Sequence, residues 1–200
     1  MTILGATGGT GRELVRQALA RGHHVRAVAR DPSRLPSDSR LTLLTADVLD
    51  GPALTRALDG AEVIVSGLGI TGGETPGVLT AGARAAAASG ARIVWLSALG
   101  VGPSAPAAGF LTRALLGAFM RKELPDREAA TAAVLAAGGT VVHAGPLTDG
   151  PPTPTRRTLA LPDRPLALFP ARVSRATVAA AMLDEAESLR FEGHPVVVLP

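Results

Sequence analysis

The run Met1-Thr2-Ile3-Leu4-Gly5-Ala6-Thr7-Gly8-Gly9-Thr10-Gly11-Arg12-Glu13-Leu14-Val15 constrains this chain more than any other segment. It reads as a short apolar strand, a glycine turn and the opening of a helix. Gly5 lets the chain turn sharply off the strand, Gly8 keeps a Cβ out of the space a phosphate must enter, and Gly11 lets the helix pack close to the sheet. Thr7, Gly9 and Thr10 complete the turn. A helix that starts there offers unpaired N–H groups and a partial positive charge, so the segment is a candidate cradle for a nucleotide pyrophosphate. A glycine triplet alone is weak evidence, because any tight strand-to-helix turn uses one. The strand before it and the helix after it supply the context that the motif needs.

Apolar strand-like runs alternate with helical patterns along the rest of the chain. Strands are expected at Thr2–Leu4, His24–Ala29, Leu41–Thr45, Glu62–Ser66, Arg92–Leu96, Thr140–Ala144 and Pro195–Leu199, and helices at Gly11–Arg21, Gly51–Leu58, Gly77–Ser89, Asp126–Ala137 and Ser174–Ser188. That order predicts an α/β fold, a Rossmann-like doubly wound and mostly parallel sheet covered on both faces. Two hundred residues, 46% of them hydrophobic, suit one domain spanning 1–200. The Gly/Pro-rich stretches Gly100–Gly109 and Leu147–Thr155 are loops, expected over a ligand cleft at the carboxyl ends of the strands or serving as plain surface connections.

Composition excludes several chemistries. With no cysteine, disulfides, thiolate catalysis and cysteine-based metal sites are impossible. The sequence pI of about 10.8 suggests a nucleic-acid binder, but the formal net charge is only +3. One lysine, Lys122, and no tyrosine or cysteine leave little to titrate between neutral pH and the arginines, so a small arginine excess drives the pI upward. Without a basic stripe interleaved with aromatics, no nucleic-acid partner is expected. No apolar run reaches membrane-spanning length and no signal-like segment precedes the first strand, so a cytoplasmic protein without a membrane partner is expected. No metal site is expected either: His23 and His24 are adjacent and would point to opposite faces of a strand.

The cofactor can be read at the end of the second strand. A carboxylate there would accept from a free ribose 2′-OH, whereas this chain has Arg30. A guanidinium forks onto a 2′-phosphate, so Arg30 argues for NADP(H) over NAD(H). Arg34 either assists from the next turn or is a solvated charge. Asp31 is acidic and one residue away, which leaves dual specificity open.

The chain resembles the atypical short-chain dehydrogenase/reductase group, specifically the NAD(P)H-binding set with NmrA-like proteins and the flavin reductase/biliverdin reductase B type. The likeness runs from Gly5–Gly11 through Val28–Leu35 and Ala46–Asp50 to Ser66-Gly67-Leu68-Gly69, and weakens after Ser97-Ala98. It implies that Asp47 and the Val48 amide read the adenine edge, with a helix cap as the alternative for Asp47, while Asp50 is read as a cap. It implies that Ser66, Gly67, Leu68 and Gly69 let the backbone approach the adenosine and nicotinamide side of the ligand. It places Ser97 where the family has an active-site serine or threonine; a strand-end serine satisfied by backbone is the competing reading. Lys122 lies where the family often has a lysine, and is read as a solvated amine. His143-Ala144-Gly145 replaces the family's Arg-Pro-Gly, so His143 is either a proton donor near the site or a buried strand histidine in a satisfied hydrogen bond.

An absence shapes the reaction. Ordinary short-chain dehydrogenases use a Tyr-x-x-x-Lys pair to protonate a carbonyl oxygen as hydride arrives. This chain has no tyrosine, which closes that route and disfavours a sugar epimerase as well. Acceptors that take hydride directly and draw their proton from water escape the objection: flavins, quinones and open tetrapyrroles need proximity and a flat apolar platform. Leu68–Thr71, Leu99–Val101, Phe110 and Leu147 are platform candidates. Two functions are therefore expected: an NADPH-dependent reductase acting on a small-molecule acceptor, or a non-catalytic NADP(H) sensor with a regulatory protein partner. An apolar cavity beside the nicotinamide would favour the first. The protein is expected to be a monomer or a small homo-oligomer.

Overall fold

The computed structural model describes residues 1–70, 76–106, 108–109, 117, 120–163 and 169–200. Its main sheet contains β1 (Thr2–Leu4), β2 (Val25–Ala29), β3 (Leu41–Thr45), β4 (Val63–Ser66), β5 (Arg92–Ala98), β6 (Thr140–Ala144), β8 (Arg157–Ala160) and β10 (Pro195–Leu199). Their spatial order is β3-β2-β1-β4-β5-β6-β10-β8. Every pairing is parallel except β8 with β10. The order reverses direction at β1 and β4, the switch point beside which ligands bind in open α/β sheets.

Burial on both faces explains the near-continuous apolar strands. Within β1, Ile3 and Leu4 are both fully buried, yet they belong to different cores. Ile3 packs with Leu14 and Val15 of α1 (Gly9–Ala20) and with Val178 and Met182 of α5 (Arg175–Ser188). Leu4 packs with Leu54 of α2 (Gly51–Leu58), Leu79 and Ala83 of α3 (Val78–Ala88) and Val134 of α4 (Leu124–Ala136). The only tryptophan, Trp95, fills this second core from β5.

All seven expected strands form, β5 running two residues further than expected, to Ala98. Helix α1 opens at Gly9, two residues before the expected Gly11, because Gly8 already turns the chain as its N-cap. Three strands were not legible in the sequence. The two-residue strands β7 (Leu147–Thr148) and β9 (Val173–Ser174) pair with each other, and β7 occupies the start of the expected loop Leu147–Thr155. Strand β8 is an antiparallel edge whose pattern is exposed at Arg157 and half-buried beyond. Each exists only because a distant strand supplies its hydrogen-bond partners.

One tether crosses the α3/α4 face. Helix α3 has Gly77 as its N-cap and no side chain of its own to cap it. Asp126 of α4 supplies the cap instead, accepting from the Leu79 amide at 3.0 Å, the Thr80 amide at 2.9 Å and the Thr80 hydroxyl. Burial works to raise the Asp126 pKa, but these donors outweigh it and hold the carboxyl below its ordinary value.

Candidate cofactor and acceptor site

The glycine turn is built around two positions. Gly5 sits at φ +69°, and a Cβ there would lie 3.0 Å from the Leu68 backbone. At Gly11 a Cβ would lie 2.0 Å from the Gly5 carbonyl oxygen, so the first turn of α1 rests directly on the turn that precedes it. The Gly8 amide donates to the Gly5 oxygen at 3.0 Å and the Gly67 amide to the Leu4 oxygen at 3.0 Å. These contacts lock strand ends β1 and β4 against the start of α1. That start carries neither a side-chain cap nor an acidic residue in its first turn. No carboxylate of the first turn therefore opposes the partial positive charge there, and a pyrophosphate oxygen suits it.

A cleft of about 600 Å³ opens at this edge. Gly8, Gly9 and Thr10 form its floor, Gly67, Leu68, Gly69 and Ile70 one wall, and Leu96, Ser97, Ala98 and Leu99 another. The outer wall comes from Ala144–Leu147 with Phe169 and Pro170. Most of the described lining is apolar, with Arg127 and Arg175 as its charged members among the described residues. Gly145 is needed in that wall because a Cβ there would lie 2.2 Å from the Ala171 oxygen.

Seven of the sequence candidates thus converge: Gly8, Gly9, Thr10, Gly67, Leu68, Gly69 and Ser97. Gly5, Gly11 and Ser66 lie beneath as support; Ser66 is buried and its hydroxyl accepts from the Leu68 amide at 3.3 Å. Thr7 takes part through its carbonyl, which accepts from the Arg12 guanidinium at 2.9 Å. Ser97 is 4% exposed, and its hydroxyl pairs with that of Thr131 at 3.2 Å, so its partner is a side chain of α4 and not the backbone. Among the platform candidates, Leu68, Gly69, Ile70, Leu99 and Leu147 line the cleft, whereas Gly100, half-buried, and Val101, fully buried, do not. Thr71 and Phe110 lie outside the described residues.

Arg30, Arg34, Asp47 and Val48 do not line this cleft. Arg30 is exposed just after β2 and Asp47 is exposed just after β3, and the register Ala29↔Thr45 keeps those two strand ends adjacent. Arg34 is exposed at the end of the turn Pro32–Arg34, which Asp31 opens by accepting from the Ser33 amide at 3.2 Å. Asp47 closes its own local turn, accepting from the Leu49 amide at 2.9 Å, and Asp50 caps α2 through the Ala53 amide at 3.0 Å. Val48 is half-buried, and its side chain would lie 3.2 Å from a Cβ at Gly82. Lys122 is exposed.

The structure does not bring His143 to the cleft. It is fully buried on β6, with Nδ1 3.0 Å from both the Ala98 oxygen and the Ser104 hydroxyl. Nε2 is buried without a partner among the described residues. Burial pushes its pKa down to about 4, against a smaller upward pull from the Ala98 oxygen. A neutral ring buried away from the cleft carries no imidazolium proton for an acceptor at neutral pH. Among the described residues no group of three or more His, Cys, Asp or Glu is placed to hold a metal, and no helix is long and apolar enough to cross a membrane.

Sequence reasoning missed Arg127 and Arg175. The Arg127 guanidinium pairs with Glu123 at 3.0 Å and its Nε is buried without a partner among the described residues. The Arg175 guanidinium pairs with Asp149 at 2.7 Å. Neither lies near the glycine motif in sequence, so no local pattern marks them.

A family model described as NAD(P)H-binding matches residues 5–188. The chain belongs to this NAD(P)H-binding family. A solved structure of ChuY, an anaerobillin reductase from Escherichia coli O157:H7, matches with a TM-score of 0.80 at 21% identity, covering 99% of this chain and 95% of that one. A wide-type short-chain dehydrogenase/reductase from Veillonella parvula, solved in complex with NADP, matches with a TM-score of 0.82 at 18% identity, covering 100% and 93%. These likenesses show the shared fold. Among curated proteins, a 3 beta-hydroxysteroid dehydrogenase/Delta 5-->4-isomerase from Mycobacterium tuberculosis is 39% identical over 62 residues, which is 31% of this chain and 17% of that protein. The match thus spans less than a fifth of the relative's length.

Proposed function

We propose that this family member is an NADPH-dependent reductase that serves a flat conjugated acceptor, such as a flavin, a quinone or an open tetrapyrrole. The observation that carries the reading is an apolar cleft of about 600 Å³ beside the glycine turn, in a chain that has no tyrosine. Such a cleft can desolvate and align a planar ring, while no phenol is present to protonate a carbonyl. NADPH, when bound, supplies the hydride. The chain's own part is binding and alignment: the amides of the α1 first turn hold the pyrophosphate, Arg30 takes the 2′-phosphate, and Asp47 with Val48 reads the adenine edge. Ser97 and Leu68–Ile70 border the nicotinamide side, with Leu99 and Leu147 flanking the acceptor. With His143 buried and neutral, the proton comes from water. The open apolar cavity favours this reading over a sensor with a protein partner.

NADPH oxidation by the purified protein, followed at 25 °C against a panel of flavins, quinones and a linear tetrapyrrole, tests the proposal. Turnover with a member of the panel is expected. Tight NADPH binding without turnover of any acceptor would refute the reductase and leave the sensor.

A further inference from the structure

We infer that Arg175 is a cofactor-binding residue that clamps the pyrophosphate against the glycine turn, and that Asp149 holds it when the site is free. The inference rests on the NAD(P)H reading of the cleft. A Cβ placed on Gly9 would lie 2.7 Å from Arg175 Nε and 2.8 Å from its Cδ, so the guanidinium stem lies across the backbone of the glycine turn. Both Gly9 and Arg175 line the cleft.

The electrostatics of this position are unfavourable without an anion. Arg175 is the first residue of α5, a helix with no acidic residue in its first turn, and it reaches over the N-terminus of α1, which has none either. A cation next to a helix N-terminus is destabilised by the partial positive charge there. Its partner Asp149 offsets this weakly, because the Asp149 side chain is 94% exposed and the pair is screened by water. A pyrophosphate at the α1 amides would face their N–H dipoles and a planar guanidinium, a group that binds phosphate oxygens in a bidentate manner. The long-range pairing of β7 with β9 brings Asp149 and Arg175 together, through the register Thr148↔Ser174 one residue before each. Asp149 and the incoming anion therefore compete for one guanidinium.

Fluorescence titration of NADPH with the wild type, R175A, D149A and the double variant tests the inference, with 2′-AMP as a competing probe that lacks a pyrophosphate. R175A is expected to weaken NADPH binding by about tenfold or more, the loss of charge-assisted hydrogen bonds, and to leave 2′-AMP affinity unchanged. D149A is expected to tighten NADPH a few-fold, as release of an exposed ion pair allows, and this gain should vanish in the double variant. Should R175A fail to fold, R175K is read instead, with a smaller loss of the same sign because the fork is missing. Unchanged NADPH affinity in R175A, an equal loss for 2′-AMP, or a raised acceptor KM at constant NADPH affinity would overturn the clamp and leave the proposed function standing. A wild-type protein that bound neither NADPH nor NADH would overturn both.

Discussion

Replacing His143 with asparagine is expected to flatten the acid limb of the protein's stability profile. In the folded chain the imidazole is fully buried and its pKa falls from 6.5 to about 4; in the unfolded chain it returns to 6.5. Between these values the unfolded state binds a proton that the folded state refuses, so folding stability falls as pH falls. The slope approaches about 1.4 kcal/mol per pH unit, and the whole gap amounts to about 3 kcal/mol between pH 6.5 and 4. That is a large share of the 5–15 kcal/mol typical of a domain. The stabilisation is fully present above pH 6.5 and is lost as pH falls toward 4. Carboxylates with depressed pKa values, such as Glu13 and Asp126, act in the same direction but only below their unfolded values of 4.5 and 3.8. The window from pH 6.5 to 4.5 is therefore set mainly by His143. Urea unfolding of wild type and H143N at half-unit pH steps provides the measurement. Asparagine keeps a donor toward the Ala98 oxygen, and its cost at pH 8 shifts the baseline without affecting the slope. Parallel profiles for the two proteins between pH 6.5 and 4.5 would refute the assignment of the slope to His143.

Three further outcomes are expected. Arg30→Glu should lower NADPH affinity relative to NADH, and equal losses for both in a fluorescence titration would remove the 2′-phosphate assignment. Gly11→Ala places a Cβ 2.0 Å from the Gly5 oxygen, so α1 must back away from the turn; a loss of about 2 kcal/mol or more is expected in chemical denaturation, together with loss of NADPH binding. Asp126→Ala leaves the Leu79 and Thr80 amides without their acceptor and should cost about 2 kcal/mol; an unchanged thermal midpoint would show that α3 needs no cap from α4.

The glycine turn, the strand run and the missing tyrosine are properties of local sequence, and the fold and the floor of the cleft follow from them. Gly5 is required by a backbone angle and Gly11 by a contact only six residues back, so both are visible in one short window. Period and apolar run length report burial, which is why the seven parallel strands of the main sheet were legible. Strands β7, β8 and β9 were not, because an edge or two-residue strand is created by the partner it pairs with and has little apolar signal of its own. The same reason hides Arg175, whose meaning depends on Gly9, more than 160 residues away. The glycine motif likewise said nothing of Asp126 as a cap for α3. His143 shows the converse: the sequence offered a proton donor or a buried histidine, and only the packing of β6 under Ser104 and Ala98 could choose, since burial sets the protonation state. Sequence alone determined the architecture and the glycine turn, because both depend on near-neighbour sterics and hydrophobic period. Tertiary structure decided which charges face the cleft and which titratable groups are shut away from it, because electrostatic roles depend on distance in space and on exclusion of water.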